Sequence, residues 1–261
     1  MTLFKRTHKS KKILLLTADF PVYLYNFLIK FIKGSFLTDM NKPNLLLITT
    51  MDQSHTLYLP SLGEQYHSRF GAIGESSHVF IKNGYEATDK DPLHIFEVGF
   101  GTGLNVLLTL LAAAQDHRIV FYTAIDNHPL EKKIYTRLNY PALLHTGPDL
   151  FLKIHEAPWG EEIRPTKNFR LKKISGDFLS YRFSSSFDLV YFDAFGPGKQ
   201  PEMWTDLIMQ KIFEATNRGG IFVTYAAKGA VRRSLAATGF RVERLAGPPG
   251  KREMLRAIKP L

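Results

Sequence analysis

Cysteine is absent from the 261-residue sequence, and its absence excludes several kinds of chemistry. A disulfide scaffold, a thiolate nucleophile and a zinc site with cysteine ligands all require that residue. An uninterrupted apolar segment of about 20 residues, which a membrane span requires, is also missing. The apolar run at 13–32 contains Asp19, Pro21 and Lys30. We therefore expect no membrane contact and a cytoplasmic protein.

Acidic residues are fewer than basic ones, 24 against 34, and the formal net charge is +10. Half of this charge lies in residues 1–39, which hold seven Lys or Arg and two Asp. Because Lys and Arg neutralise phosphates, RNA is a possible partner. Mild basicity is also common in soluble proteins, so charge alone leaves both interpretations open.

The first 39 residues differ from the rest of the sequence. Their basic start and apolar run partly match a signal peptide, but no small-residue cleavage site follows. We interpret Met40 as the natural start, and residues 1–39 as an upstream extension with little fixed structure.

Short predicted strands characterise the region before Pro92. Apolar stretches at 45–50 and 56–59 predict a hairpin. Ser77–Ile81 is predicted as another strand, because the turn signal Asn83-Gly84 follows it.

After Pro92, predicted strands alternate with predicted helices. Such alternation predicts an α/β fold with a doubly wound, mostly parallel sheet. The strands are predicted at 93–98, 119–125, 169–174, 187–192, 221–225, 240–245 and 253–258, and the helices at 104–115, 129–138, 204–216 and 228–238.

A glycine-rich loop, Glu97-Val-Gly-Phe-Gly-Thr-Gly103, joins the first of these strands to the first helix. Glycine allows left-handed backbone angles, and lets a ligand lie against bare backbone at a helix N-terminus. A dinucleotide loop needs the spacing G-x-G-x-x-G, but Leu104 and Val106 occupy the third glycine position in the two registers. The observed G-x-G-x-G after an acid is the form seen in class I methyltransferases.

Two further acids follow the second and third of these strands. Asp126 is placed to hold ribose hydroxyls, and Asp177 to reach the adenine amine. Each could equally be a helix or turn cap when taken alone. In combination they predict an S-adenosylmethionine site, with Glu97, Gly99, Gly101, Gly103, Asp126 and Asp177 binding the cofactor.

The segment Asp193–Trp204 follows the fourth of these strands, where substrate and cofactor meet in such folds. An acid at the tip of an apolar strand is costly unless it has a task, so Asp193 is the candidate catalytic residue. Pro197 would stiffen the loop. Phe195 and Trp204 would flank a flat substrate, although core packing explains aromatic rings about as well.

Five segments resemble the methyltransferase domain of the MnmC family and together span roughly residues 45–258. They are Gly71–Ile81, Phe96–Asn105, Asp193–Trp204, Ala230–Phe240 and Gly250–Leu255. The resemblance implies a class I S-adenosylmethionine-dependent methyltransferase. Its Rossmann-like domain would be residues 92–261, and its small β-rich N-terminal appendage, residues 40–91, would form part of the substrate site.

The resemblance also implies the reaction. S-adenosylmethionine would methylate the 5-aminomethyl group of the wobble (2-thio)uridine, in the anticodon loop of tRNA. Asp193 would orient the amine and accept its proton, and no metal is expected. Asn105 joins the expected cofactor residues. The expected substrate residues are Tyr66, Glu75, Phe195, Pro197, Lys199, Trp204, Lys251 and Arg252, and Arg232 and Arg233 are further candidate phosphate contacts.

Many family members carry a second, FAD-dependent oxidase domain. The sequence given ends at Leu261, and we expect the stand-alone form sometimes called MnmD, as a monomer. One loop differs from the family pattern: Gly196–Pro201 reads Gly-Pro-Gly-Lys-Gln-Pro, where Ala-Pro-Ala-Lys-Asn-Pro is frequent.

Two other functions are compatible with parts of the sequence. An aminopropyltransferase of the spermidine-synthase kind has a related fold and an acid after the fourth strand, but the Lys-Arg-Glu-Met segment at 251–254 fits it poorly. A non-catalytic RNA-binding protein on a degenerate methyltransferase fold is the second. The four acids Glu97, Asp126, Asp177 and Asp193 argue against such decay.

Overall fold

A computed structural model of the chain describes residues 44–261. The predicted extension at 1–39 and the predicted start at Met40 lie outside the described residues. The described strands are β1 (Leu46–Thr49), β2 (His55–Leu59), β3 (Glu64–Gln65), β4 (Leu93–Val98), β5 (Val120–Asp126), β6 (Glu162–Thr166), β7 (Phe169–Ser175), β8 (Phe187–Phe192), β9 (Thr216–Thr224), β10 (Arg241–Ala246) and β11 (Glu253–Ile258). The described α-helices are α1 (Ala72–Ser76), α2 (Leu104–Asp116), α3 (Lys132–Tyr135), α4 (Tyr140–Leu143), α5 (Pro148–Glu156), α6 (Asp206–Ala215) and α7 (Gly229–Ala237).

Eight strands form a mostly parallel sheet in the order β10-β11-β9-β8-β4-β5-β7-β6. β4 pairs in parallel with β5 on one side and with β8 on the other. The chain therefore adds β5 on one side of β4 and later adds β8 on the other side of β4. Ligands bind outside the carboxyl ends of the strands at such a switch point. β11 runs antiparallel between β9 and β10.

The sheet is covered on both faces, which explains its apolar strands. All six residues of β8 are buried, as expected for a central parallel strand. One core cluster joins Ile95 of β4 to Leu107 of α2. The other joins Phe222 of β9 to Met209 of α6. The predicted α/β fold class, with a Rossmann-like, doubly wound, mostly parallel sheet, is confirmed.

A small antiparallel sheet, β1-β2-β3, precedes this body in the described chain. Its first hairpin pairs Thr49 with His55, as predicted. The strand predicted at Ser77–Ile81 is wrong: α1 continues there as a π-helix, Ser77–Lys82, which buries Val79 and Phe80. β-propensity depends on context, and packing against the core outweighs it here.

The other departures concern two helices and one strand. Helical structure in the predicted helix 129–138 is confined to the four residues of α3. The amphipathic helix α5 and the edge strand β6 were not predicted from the sequence.

Candidate active site

The glycine loop between β4 and α2 lies at the carboxyl edge of the sheet. Gly99, Gly101 and Gly103 have φ angles of +92°, +49° and +71°, a left-handed conformation that favours glycine. A Cβ on Gly99 would lie 2.6 Å from the backbone oxygen of Asp193. The loops that follow β4 and β8 therefore pack backbone against backbone, with no room for a side chain at Gly99.

Asn105 links the acid before the glycine loop to the acid after β8. Its Nδ2 atom donates hydrogen bonds to Glu97 Oε1 and to Asp193 Oδ2, both at 2.9 Å. Asn105 reaches both because the short loop places the first turn of α2 beside the ends of β4 and β8. Three predicted site residues thus form one hydrogen-bonded group.

Both carboxyl groups of this group titrate far from their usual range. Burial raises the pKa of Glu97 well above normal, against the hydrogen bond from Asn105. Burial and then the charge of Glu75 raise the pKa of Asp193 to about 7, against Asn105 and Lys251. An acid–base group with a pKa near the working pH is suited to proton transfer.

Asp126 and Asp177 occupy the ends of the next two strands. Asp126 accepts hydrogen bonds from the backbone N–H of Gly101 at 2.8 Å and of His128 at 2.7 Å. Asp177 accepts one from Leu179 N at 2.9 Å. Both acids therefore shape the local backbone while they line the same cleft. Their cofactor-binding role remains a prediction.

A cleft of about 780 Å³, part of it open to solvent, brings these groups together. The predicted residues that line it are Tyr66, Gly99, Gly101, Asp126, Asp177, Asp193 and Phe195. Residues that line it without having been predicted include Phe178, Gln200, Met203 and Tyr225.

Aromatic rings border the cleft beside Asp193. Tyr66 and Phe195 pack edge to face, with ring centroids 5.2 Å apart. Trp204 is 7% exposed and packs edge-on against Phe192. A ring so buried offers no stacking face, which corrects the prediction for Trp204. Its indole N–H instead donates to Phe195 O at 2.8 Å and so holds the loop.

The remaining predicted substrate residues lie in different settings. Lys199 Nζ donates to Leu62 O at 2.8 Å, which ties the loop after β8 to the turn between β2 and β3. Lys251 forms an ion pair with Glu75. Pro197 is half-buried in the loop outside the cleft lining. Lys199 is exposed, as are the other predicted cations Arg252, Arg232 and Arg233.

S-adenosyl-L-methionine fits the donor and acceptor chemistry of this cleft. Behind the cleft lining, next to Asp193, two buried acceptor atoms, Glu97 Oε2 and Asn105 Oδ1, have no hydrogen-bond partner, and a buried acceptor without a donor is costly. The cofactor carries an ammonium group and a sulfonium, so it supplies donors and positive charge. Gly99 and Gly101 leave the loop without side chains at the cleft.

Sequence reasoning missed the groups that support the glycine loop from behind. His155 Nε2 donates to Thr102 O at 3.0 Å, and the buried Lys173 donates to His155 O at 2.6 Å. The Lys173 ammonium also lies 5.1 Å from the ring centroid of Phe100. The period-2 alternation of β7 separates Lys173 from its exposed neighbour Lys172, because it places Lys173 on the face of the buried Phe169 and Leu171. Tyr225 was also missed, although its place after β9 is a signal for a cleft residue.

Comparisons with known proteins agree with this geometry. The sequence profile of a family described as S-adenosyl-L-methionine-dependent methyltransferase matches residues 157–260. The crystal structure of MNMC2 from Aquifex aeolicus superposes with a TM-score of 0.68 at 25% identity, and covers 92% of this chain and 86% of that one. The chain is an S-adenosyl-L-methionine-dependent methyltransferase.

Curated relatives extend the likeness of this methyltransferase. Proteins named tRNA 5-methylaminomethyl-2-thiouridine biosynthesis bifunctional protein MnmC are 29% identical in Methylobacillus flagellatus and 30% identical in Cupriavidus metallidurans, each over 76% of this chain. The alignments cover 33% and 32% of those proteins, so the methyltransferase spans about a third of their length. The resemblance to the MnmC methyltransferase domain is confirmed.

A spermidine synthase from Thermotoga maritima has the same fold. It superposes with a TM-score of 0.54 at 13% identity, over 84% of this chain and 69% of that one. Within residues 44–261, no group of His, Asp or Glu is arranged to hold a metal ion. The helices of that same part are all too short or too polar to cross a membrane.

Proposed function

We propose that this methyltransferase methylates the 5-aminomethyl group of the wobble (2-thio)uridine in tRNA, giving 5-methylaminomethyl-(2-thio)uridine. The observation that carries the proposal is the position of Asp193. It lies between the glycine loop and the Tyr66–Phe195 pair, and is the cleft acid whose pKa is raised to about 7. The name of the MnmC relatives supports this nucleoside.

When bound, S-adenosyl-L-methionine supplies the methyl group on a sulfonium. The protein must then align an amine and remove its proton, because only the neutral amine has a free electron pair. As a carboxylate, Asp193 pairs with the incoming ammonium group and accepts one of its protons. Asn105 keeps Oδ2 of Asp193 in place, so the other oxygen is the one directed to the amine.

Tyr66 and Phe195 are the proposed contacts of the base. Bases in RNA loops can be splayed out and stacked on aromatic rings, and these two rings border the cleft beside Asp193. The exposed cations Arg252, Arg232 and Arg233 are the proposed phosphate contacts. If they act together, tRNA affinity falls steeply as salt increases.

A nucleoside assay with the full chain tests the proposal. The protein is incubated with S-adenosyl-L-methionine and tRNA bearing 5-aminomethyl-2-thiouridine, and the digested nucleosides are analysed by mass spectrometry. We expect one methyl group on that nucleoside, and none on tRNA that lacks the aminomethyl group. Cofactor binding without methyl transfer would reject the substrate.

An aminopropyltransferase is the competing function, since spermidine synthase shares the fold. The same protein is therefore incubated with decarboxylated S-adenosylmethionine and putrescine. Aminopropyl transfer in this reaction, without methylation of the tRNA, would favour that alternative.

A further inference from the structure

The loop between β10 and β11 places a cation, Lys251, behind the part of the cleft that contains Asp193. Gly250 in this loop has a φ of +82°, and a Cβ there would overlap the ring of Phe70. The loop therefore packs directly on the segment that leads into α1. This contact places Lys251 beside Glu75, a residue 176 positions earlier in the chain.

Lys251 is held from two sides. Its Nζ atom lies 2.5 Å from Glu75 Oε1, and the two side chains are 30% and 7% exposed. The same ammonium group lies 3.8 Å from the ring centroid of Tyr225. Glu75 is fixed in turn, because its other oxygen accepts a hydrogen bond from Ser68 N at 2.7 Å.

Tyr225 connects this ion pair to Asp193. The Tyr225 hydroxyl donates to the backbone oxygen of Ala194 at 2.9 Å, one residue beyond Asp193. Asn105 holds the Asp193 carboxyl from the other side. Asp193 is thus fixed both through its backbone and through its side chain.

We propose that Lys251 is a positioning residue for Asp193: held by Glu75, it fixes the Tyr225 ring and supplies the positive charge that keeps Asp193 able to accept a proton. This inference rests on the proposed role of Asp193 in the reaction. It gives Lys251 a task inside the protein, whereas the sequence predicted a contact with tRNA phosphate.

The charges around Asp193 support this assignment. Glu75 raises the pKa of Asp193 and Lys251 lowers it, in addition to the effects of burial and of Asn105. Within residues 44–261, the titratable groups that interact with Asp193, apart from Lys251, are acids or phenols: Glu75, Glu97, Tyr122, Tyr140 and Tyr225. Removing the charge of Lys251 should therefore raise the pKa of Asp193, and removing the charge of Glu75 should lower it.

An NMR titration tests the proposal without any substrate. Full-length protein carrying ¹³C-labelled aspartate is titrated, and Asp193→Asn identifies the Asp193 carboxyl signal. We expect Lys251→Met to raise the pKa of Asp193 by about one unit and Glu75→Gln to lower it by a similar amount. Lys251→Arg keeps the charge and should leave the titration near that of the wild type.

Lys228→Met is the matched control, because Lys228 is an exposed cation near Gly198 in the loop after β8. It should not shift the Asp193 titration. An unchanged Asp193 titration in Lys251→Met, with weaker tRNA binding, would overturn the proposal and assign Lys251 to phosphate.

A second readout is the pH dependence of methyl transfer. The acid limb of the kcat profile should move to higher pH in Lys251→Met and to lower pH in Glu75→Gln. If the wild type fails to methylate the aminomethyl tRNA, the proposed function fails. The NMR titration would still decide whether Lys251 acts on Asp193.

Discussion

The two sides of the cleft are built in different ways. The proposed cofactor side is formed by the glycine loop after β4 and by the ends of β5 and β7, where Gly99, Gly101, Asp126 and Asp177 line the cleft. The proposed acceptor side draws side chains from separate parts of the chain: Tyr66, Asp193, Phe195 and Tyr225 line the cleft. The Glu75–Lys251 ion pair lies behind them. Backbone geometry determines the first, and side-chain packing between distant segments determines the second.

This difference predicts a division of effects. Substitutions on the cofactor side should change cofactor affinity first, because they distort a surface of bare backbone. Substitutions on the acceptor side should change kcat first, because they disturb a proton acceptor and its neighbours. Asn105 and Glu97 lie between the two sides and are expected to couple them.

The largest expected effect is that of Asp193→Asn on the chemical step. The amide keeps the shape and can still accept the hydrogen bond from Asn105, but it cannot take the amine proton. We expect kcat to fall by roughly 10²- to 10⁴-fold, while the Kd for S-adenosyl-L-methionine, measured by calorimetry, changes little. Asp149→Asn removes an exposed carboxylate at the start of α5 and should keep full activity. A kcat near the wild-type value for Asp193→Asn would remove Asp193 from the mechanism.

Gly99→Ala should act on the cofactor side. Its φ of +92° is unfavourable for alanine, and the added Cβ would meet the backbone of Asp193. Such strain costs about 1–3 kcal/mol, and we expect cofactor affinity to fall by about tenfold or more.

Gly147→Ala is the control for this change, because Gly147 has a φ of −65° and open space around it. Urea unfolding measures the stability of both variants, and cofactor titration measures their affinity for the cofactor. Comparing Gly99→Ala with Gly147→Ala then separates the effect of backbone strain from the effect of adding a methyl group. Equal cofactor affinities for the two variants would contradict a backbone-defined cofactor side.

The third prediction concerns Glu97. We expect cofactor binding to release a proton from its carboxyl group. Burial raises the pKa of Glu97 well above normal, which favours the protonated form in the free protein. A bound cation favours the carboxylate, so binding releases a proton, and affinity should rise with pH by up to about tenfold per unit. Calorimetry in buffers of different ionisation enthalpy measures the released proton.

Glu97→Gln cannot ionise, so it should bind the cofactor more weakly and with a smaller pH dependence. Asp193→Asn is the matched variant and should retain the proton release that belongs to Glu97. Equal proton release in wild type and Glu97→Gln would show that another group is responsible.

Particular residues show how far the sequence could predict the site. The glycine spacing and the order of acids at strand ends predicted Asp126, Asp177 and Asp193, which all line one cleft. Trp204 was assigned to the substrate from its loop position, yet packing makes it a core residue that holds Phe195. Ser77–Ile81 has the composition of a strand, but contacts from distant parts of the chain keep it helical.

The sequence by itself determined most of the alternating strands and helices after Pro92, the glycine loop and the acids that follow the strands. These features depend on local periodicity and on backbone angles that few residue types adopt. Only the tertiary structure decided that Lys251 pairs with Glu75, that Tyr225 holds the backbone next to Asp193, and that Asn105 joins Glu97 to Asp193. Such contacts join residues far apart in the chain, and the energy of a buried charge depends on every neighbour that the fold brings to it.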